Sequence, residues 1–325
     1  MTRARVLVLG ASGFIGRRVI KRLQGSDWAA PIAASRRTSQ LPAFDGLEQR
    51  TFDATEPDAL TRELSGVQAV VNCVAGDAET ILAGGMALFS VAMRQTPPPR
   101  IVHMSSLAAY GSATGSIDES APLLGDLGPY SAAKAAVEQL AKGTPTVVLR
   151  PGIVYGPRSA WWSDRIARLL CSRRLGDLGP RGSGFCNLVH VEDVASAVVN
   201  ALRLEGIEGQ CFNLASPTAP TWNEYFRLYA EALGVLPVRE ISERRLFIEL
   251  NIISPILKMA EISARFGLLR TTAESPAIRP WLLQLCSHDI RLRVDEAQQR
   301  LRLSWTPLRQ GLQETANWFL GGGRT

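Results

Sequence analysis

A strand, a glycine-rich turn and a helix follow one another near the N-terminus, and few folds accommodate that order. Arg5 to Leu9 (RVLVL) is a continuous apolar run, the pattern of a strand covered on both faces. Gly10-Ala11-Ser12-Gly13-Phe14-Ile15-Gly16 comes next, and Arg17 to Gln24 has helical character. Glycines three apart in this setting turn the chain tightly, let backbone N–H groups approach a diphosphate, and let the helix pack on the strand. The spacing alone is a weak motif; the flanking strand and helix supply the context it needs. The stretch predicts an α/β unit that binds a nucleotide, against the alternative of a plain surface loop.

The alternation continues. A second strand is expected over Ala30 to Ser35, ending in Arg36-Arg37. A carboxylate there would chelate the adenosine ribose of NAD, whereas a guanidinium pairs with a 2′-phosphate through two hydrogen bonds. Arg36 therefore points to NADP(H) as the preferred cofactor, with NAD(H) possible; two solvated loop arginines are the alternative. Gln49 to Phe52 reads as a third strand ending at Asp53, and Gln68 to Val74 as a fourth. A helix over Glu79 to Gln95 is stopped by three prolines, and Arg100 to Met104 is a fifth strand delivering Ser105-Ser106 at its C-terminal end. Thr146 to Leu149 is a sixth. Beyond it the pattern predicts an amphipathic helix over Trp161 to Arg174, a strand over Asn187 to Val191, and a helix over Val194 to Leu204 with Asp193 as N-cap. A short strand over Cys211 to Leu214 follows, and the chain is mainly helical from Ser216, broken by Pro237, Pro255, Pro276 and Pro280. The expected fold is a Rossmann doubly wound parallel sheet over 1–157, with later contributions from about 187–214, and a smaller, mainly helical substrate domain within 158–325.

Tyr130-Ser131-Ala132-Ala133-Lys134 opens an Ala-rich helical run, Ser131 to Lys142. Residues four apart share a helix face, so phenol and ammonium would lie side by side. A cation beside a phenol favours the phenolate, which makes a proton donor and acceptor suited to neutral pH. An ordinary half-buried tyrosine beside a solvated lysine is the alternative. The chain has only four lysines and five tyrosines, so the spacing is seldom met by accident.

Composition narrows the function class. With 46% apolar and 20% charged residues the chain falls among soluble globular proteins. Its net charge of +6 comes almost wholly from scattered arginines, without the basic block of a nucleic-acid binder; anionic small-molecule ligands suit it better. Five distant cysteines without ligand spacing argue for reduced thiols in a cytoplasm and for no metal. The N-terminal apolar run is too short for a signal peptide. Charged residues interrupt the apolar stretch Leu246 to Leu269, so no transmembrane segment is expected.

Taken together, these motifs resemble the extended short-chain dehydrogenases/reductases, the NAD(P)-dependent epimerase, dehydratase and hydroxysteroid-dehydrogenase group. The likeness runs from the Gly10–Gly16 turn through Asp53 at the adenine position, Val74-Ala75, and Ser105-Ser106…Tyr110-Gly111. It continues through Tyr130…Lys134…Glu138, Arg150-Pro151…Tyr155-Gly156-Pro157 and His190-Val191-Glu192-Asp193, and ends in Asp295…Ser304-Trp305…Pro307, with Ser304 where glycine is usual. The resemblance implies Tyr130 as general acid/base, Lys134 on the nicotinamide ribose and lowering the tyrosine pKa, and Ser106 on the substrate oxygen. Ser106 is chosen over Ser105 because it lies four before Tyr110. For the cofactor it implies Gly10, Ser12, Gly13, Phe14, Ile15, Gly16, Arg36, Asp53, Val74, Ala75, Pro151 and Ile153, with Tyr130 and Lys134. A homodimer is possible.

Departures from the pattern bear on the substrate. Leu82 stands where the family usually has a relay asparagine. Leu107-Ala108-Ala109 replace the acidic residues that dehydratases place after the active hydroxyl. Ile153 replaces an asparagine, and Cys186 an arginine, with which members acting on sugar nucleotides hold the phosphate part; Arg158 or Arg181 could substitute for that arginine. The expectation is a ketone reductase, or the reverse alcohol oxidation, on a small molecule without a nucleotide; Trp161-Trp162 and Leu246–Leu269 could wall a lipophilic pocket, with domain core or a dimer surface as the alternative for each. A sugar-nucleotide epimerase and a non-catalytic NADP-binding regulator are the alternatives.

Overall fold

The computed structural model describes residues 3–37, 46–265 and 277–322. In chain order its elements are β1 (Ala4–Leu9), α1 (Phe14–Gln24), β2 (Ala29–Ser35), β3 (Glu48–Thr51), α2 (Pro57–Glu63), β4 (Ala69–Asn72), α3 (Ala78–Ala92), β5 (Arg100–Met104), β6 (Gly115–Ile117), α4 (Pro129–Ala141), β7 (Thr146–Pro151), β8 (Ile153–Tyr155), α5 (Arg165–Cys171), β9 (Leu188–His190), α6 (Val191–Arg203) and β10 (Cys211–Leu214). Then come α7 (Trp222–Ala232), α8 (Glu243–Ile248), α9 (Ser254–Arg265), α10 (Pro280–Ser287), β11 (Ile290–Leu292), α11 (Asp295–Arg300) and α12 (Leu308–Leu320). They fall into two compact units. The first is Met1–Gly152 with Val191–Ala215 and Leu292–Trp305; the second is Ile153–His190, Ser216–Arg291 and Thr306–Thr325.

The first unit is a seven-stranded sheet in the order β10-β7-β5-β4-β1-β2-β3, parallel throughout. Strand order runs outward in both directions from β1 and β4, so the reversal lies between them. In a doubly wound sheet that crevice, beyond the C-terminal strand ends, is where ligands bind. The apolar runs of β1, β4 and β5 are buried because helices cover both faces: α1 packs with α6, and α2, α3 and α4 pack with one another. Leu7, Ile32, Val70, Leu88 and Val137 form the core under that second set.

Several elements differ from their sequence expectations. Helix α1 starts at Phe14, three residues early, because Gly13 has an extended backbone and serves as the cap. The fourth strand is Ala69–Asn72 rather than Gln68 to Val74, and Cys73 and Val74 line the crevice beyond its end. Asp193 is not an N-cap: α6 starts at Val191, and Glu192 and Asp193 occupy its first turn, where acids complement the helix dipole. Glu192 also pairs with Arg18 at 3.4 Å and Arg22 at 3.1 Å. The seven residues of α2 passed unseen because two turns are too few to show a period.

In the second unit, β8 and β9 pair in parallel. The single helix expected over Trp161 to Arg174 is broken into a π-turn, Ala160–Asp164, and α5; it ends where Arg173 adopts a positive φ of 53°. Trp161 is half-exposed, and Trp162 is partly buried among aromatic rings. Trp162 packs against Trp222 and Trp281, and Trp161 lies under the guanidinium groups of Arg165 and Arg279. The stretch from Leu246 likewise faces solvent at Phe247, Ile252, Ile256 and Met259; residues 266–269 of it, like Pro276, lie outside the described residues. No described helix is long and apolar enough to cross a membrane.

Candidate active site

A cavity of about 430 Å³ opens in the first unit at the crevice between β1 and β4. Gly10, Ser12 and Gly13 form its floor, Arg36 and Asp53 one end, Val74 and Ala75 a side. Gly10 has φ 73°, and a Cβ there would meet the Cys73 carbonyl oxygen at 2.7 Å, so both conformation and space demand glycine. A Cβ on Gly16 would run into the Gly10 carbonyl, which is how α1 seats closely on the turn. The N-terminus of α1 has no side-chain cap and no acid in its first turn. Its free N–H groups, including those near Phe14 and Ile15, and its dipole therefore remain available to an anion. The cradle fits a dinucleotide diphosphate.

At the cavity's end, the Thr55 amide and hydroxyl donate to Asp53 at 3.0 and 2.8 Å and hold its carboxyl below the usual range. Arg36 is exposed, with Asp53 and Asp77 in its field. Sequence reading missed Arg17, whose guanidinium donates to the Ser12 carbonyl at 2.8 Å and lines the same cavity. Its position directly after the third glycine, on the first turn of α1, was the available signal. Thr55, Cys73 and Thr80 also line the cavity unforeseen. Pro151 is buried at the end of β7, and Ile153 belongs to the second unit; neither lines this cavity.

Beyond β5 the chain places the other group of side chains. Gly128, with φ 99°, swings the backbone into α4, and Pro129 sets its first turn. Tyr130 follows, and the Ser106 hydroxyl lies near enough to its phenol to act on it. Ser106 also caps the short turn Leu107–Tyr110, accepting from the Ala108 amide at 3.1 Å. Ser105 points the other way, buried, and donates to Glu138. Lys134 lies one turn along α4, its Nζ 5.9 Å from the Tyr130 ring centre and donating to the Met104 carbonyl at 2.9 Å.

One expectation needs correcting here. Lys134 does not draw the Tyr130 pKa down. The phenol is raised above its ordinary value because desolvation outweighs the opposing pull of the nearby Ser106 hydroxyl. The ammonium is turned to a main-chain carbonyl instead, and burial lowers its own pKa to about 8. Cys73 connects the two halves: it lines the cavity and lies in the field of Lys134, while burial pushes its thiol up to about 12. Helix α3 carries no asparagine, and Leu82 sits on it half-exposed.

Beneath these groups lies a buried polar network. Arg150 grips Glu138 with two nitrogens, at 2.9 and 2.7 Å, and donates to the Tyr110 hydroxyl at 2.8 Å. Tyr110 donates to Asn213 at 2.7 Å. The network ties α4 to β5, β7 and β10, so it holds Ser106 and Lys134 in fixed relation. A second buried pair, Asn72 Nδ2 with His103 Nδ1 at 3.2 Å, fastens β4 to β5. The Asn72 oxygen is taken by the Val74 amide at 3.1 Å, so its amide donates to His103.

The sequence model of the NAD dependent epimerase/dehydratase family matches residues 6–215. The chain belongs to this family. It is thereby an enzyme of the extended short-chain dehydrogenase/reductase class. It is 29% identical to 2'-dehydrokanamycin reductase of Streptomyces kanamyceticus, over 71% of this chain and 67% of that one. It is 25% identical to dTDP-glucose 4,6-dehydratase of Neisseria meningitidis serogroup B, over 97% and 93%. Among solved structures, dTDP-glucose 4,6-dehydratase from Bacillus anthracis in complex with NAD superposes with a TM-score of 0.73 at 19% identity, covering 98% of this chain and 97% of that one. That last likeness speaks for the fold. Among the described residues no group of histidines, cysteines and carboxylates has the arrangement to hold a metal.

Proposed function

We propose that the protein is an NADP(H)-dependent oxidoreductase that reduces a ketone, or oxidises the matching secondary alcohol, of a small molecule without a nucleotide. The observation that carries this reading is the gathering of Ser106 and Tyr130, with Lys134 one helical turn away and its Nζ 5.9 Å from the Tyr130 ring centre. The Gly10–Gly16 turn and the uncapped end of α1 would hold the diphosphate. Asp53 stands by the adenine, Arg36 by a 2′-phosphate, and Val74-Ala75 along the crevice side. When bound, the reduced nicotinamide supplies the hydride.

The chain's own residues do the rest. Ser106 donates to the substrate oxygen and stabilises the negative charge that develops on it. Tyr130, whose raised pKa keeps it protonated through neutral pH, passes its phenolic proton to that oxygen. Lys134 stays charged below about pH 8, so it steadies the phenolate that remains and can hydrogen-bond a ribose. Pro151 and Ile153 belong to the same proposed set through the family pattern alone.

The similarity to 2'-dehydrokanamycin reductase favours net reduction. Sugar-nucleotide chemistry is the second reading, favoured by the dehydratase relative that matches nearly the whole chain. Against it, Leu107 and Ala109 after Ser106 are buried and apolar. Cys186, in the phosphate-gripping position, is fully buried with its thiol well above its ordinary pKa. Arg181 is paired with Glu243 at 2.6 Å. NADPH consumption against a panel of apolar ketones tests the first reading. Micromolar binding of a dTDP- or UDP-sugar to the NADP-loaded protein, lost in Arg158→Ala, would replace it with the second.

A further inference from the structure

The second unit contains a helical surface that the proposed chemistry does not use. Residues 243–265 run without a break as α8, a π-turn over Glu249–Ile253, and α9. The π-turn adds one residue and rotates everything after it. As a result Leu246, Glu249 and Ser254 share the inward face and are buried. Ile248, Ile252, Ile256 and Met259, spaced four, four and three apart, fall together on the outward face. They are 38%, 52%, 61% and 70% exposed, and Phe247 beside them is 64% exposed. A row of large apolar side chains at this exposure is the mark of an interaction surface.

The charges around the row say what covers it. Arg244 lies one turn before Ile248, and Arg245 donates to the backbone of Arg173, so three arginines gather at one end. Lys258 is exposed farther along. Of the acids whose side chains are described, Glu249 is buried on Arg174 with Ser254 donating to it at 3.1 Å, and the exposed Glu243 is paired with Arg181. The whole chain carries +6. A second copy would bring a second cationic collar and like net charge to such a contact. An apolar ridge with a cationic margin matches instead an interface between anionic headgroups and acyl chains.

We propose that the α8–α9 segment lies in the surface of an anionic membrane, with Phe247, Ile252, Ile256 and Met259 among the acyl chains and Arg173, Arg244 and Arg245 on the headgroups. The site is independent of the reaction assigned above. Sedimentation of the full chain with phosphatidylcholine vesicles, with and without phosphatidylglycerol, reads it directly. The protein should pellet with the anionic vesicles and be released by salt. Ile252→Ser with Ile256→Ser should lower partitioning by about tenfold or more, while the melting temperature and NADPH consumption stay those of the parent. Arg244→Glu should lower binding to the anionic vesicles alone. Should the double variant not fold, Phe247→Ser is read in the same way. No pelleting of the parent, or equal pelleting of the variants, overturns the proposal. Light scattering that shows a dimer which the double variant splits also overturns it, and gives the face to a second copy.

Discussion

The two edges of the candidate site are made from different materials. The β1–α1 edge is backbone: glycines that leave room, and amides at a helix end that no side chain caps. The β5–α4 edge is side chain: Ser106, Tyr130 and Lys134 stand above an interlocked, buried set of Ser105, Glu138, Arg150, Tyr110 and Asn213. A backbone edge can be damaged chiefly by adding atoms to it, whereas a side-chain edge can be damaged by removing one. Substitutions on the second edge should therefore separate chemistry from binding, and those on the first should not.

The sharpest separation is expected at Tyr130. Tyr130→Phe removes the proton donor and leaves ring and helix in place. Turnover should fall by about 10²–10⁴-fold, with cofactor affinity measured by fluorescence titration nearly unchanged. A variant that keeps substantial activity would remove the phenol from its assigned role.

Glu138 comes next, and its effect should appear in stability. Glu138→Ala leaves the Arg150 guanidinium buried without its carboxylate, and breaking one partner of a buried pair costs about 3–5 kcal/mol. Thermal melts and denaturant titrations would show it. Glu138→Gln keeps hydrogen-bonding capacity and should recover part of the loss. If the two variants melt alike, charge is not what the network needs.

How much of this was legible in sequence follows the same division. The Gly10–Gly16 turn and the Tyr130/Lys134 pair could be read because each is local: a backbone requirement or a helical spacing written in consecutive residues. Glu138 and Arg150 were visible as motif members, yet their partnership was not, since they meet only when α4 packs against β7. Asn72 and His103 were likewise strangers until β4 and β5 paired in register. The Tyr130 pKa is raised where a lowering was expected, since helical spacing reveals a neighbouring ammonium but not that it turns to the Met104 carbonyl. The outward row at Ile252 and Ile256 could not be told from pocket wall, core or dimer surface in sequence, because a π-turn leaves no mark in composition.

Lys134 offers a smaller test that spans both edges. Its ammonium titrates at about 8 in the fold and at 10.5 when free of it. The charge is fully present below pH 8 and is lost above it, so the rate should fall as pH rises through that value. Lys134→Arg keeps its charge at every such pH; whatever activity it retains should lose the alkaline limb. The stability effect has the opposite slope. Between pH 8 and 10.5 the unfolded chain holds the proton that the folded chain has released, so folding gains stability as pH rises. Melting temperatures of the parent and of Lys134→Met across that window would isolate the contribution.

The smallest expected effect is at Arg36, on the backbone edge, where a side chain was added to a site that backbone already makes. The diphosphate cradle is common to NAD(H) and NADP(H), so Arg36 can act only on the difference between them. An exposed guanidinium on a phosphate contributes a charge-assisted hydrogen bond of about 1.5–3 kcal/mol before solvent screening. That corresponds to roughly ten- to hundredfold in affinity as an upper range. Arg36→Asp should repel the 2′-phosphate and offer a carboxylate to the ribose hydroxyls, turning an NADP(H) preference into one for NAD(H). Arg17 lines the same cavity and is held on the Ser12 carbonyl, so it is positioned to keep part of the phosphate attraction when Arg36 is gone. The double substitution Arg36→Asp with Arg17→Ala should therefore shift the preference further than Arg36→Asp alone. Isothermal titration with both cofactors decides it. Tighter binding of NAD(H) than NADP(H) by the parent protein would show that neither arginine reads the phosphate and that the cavity selects by its backbone alone.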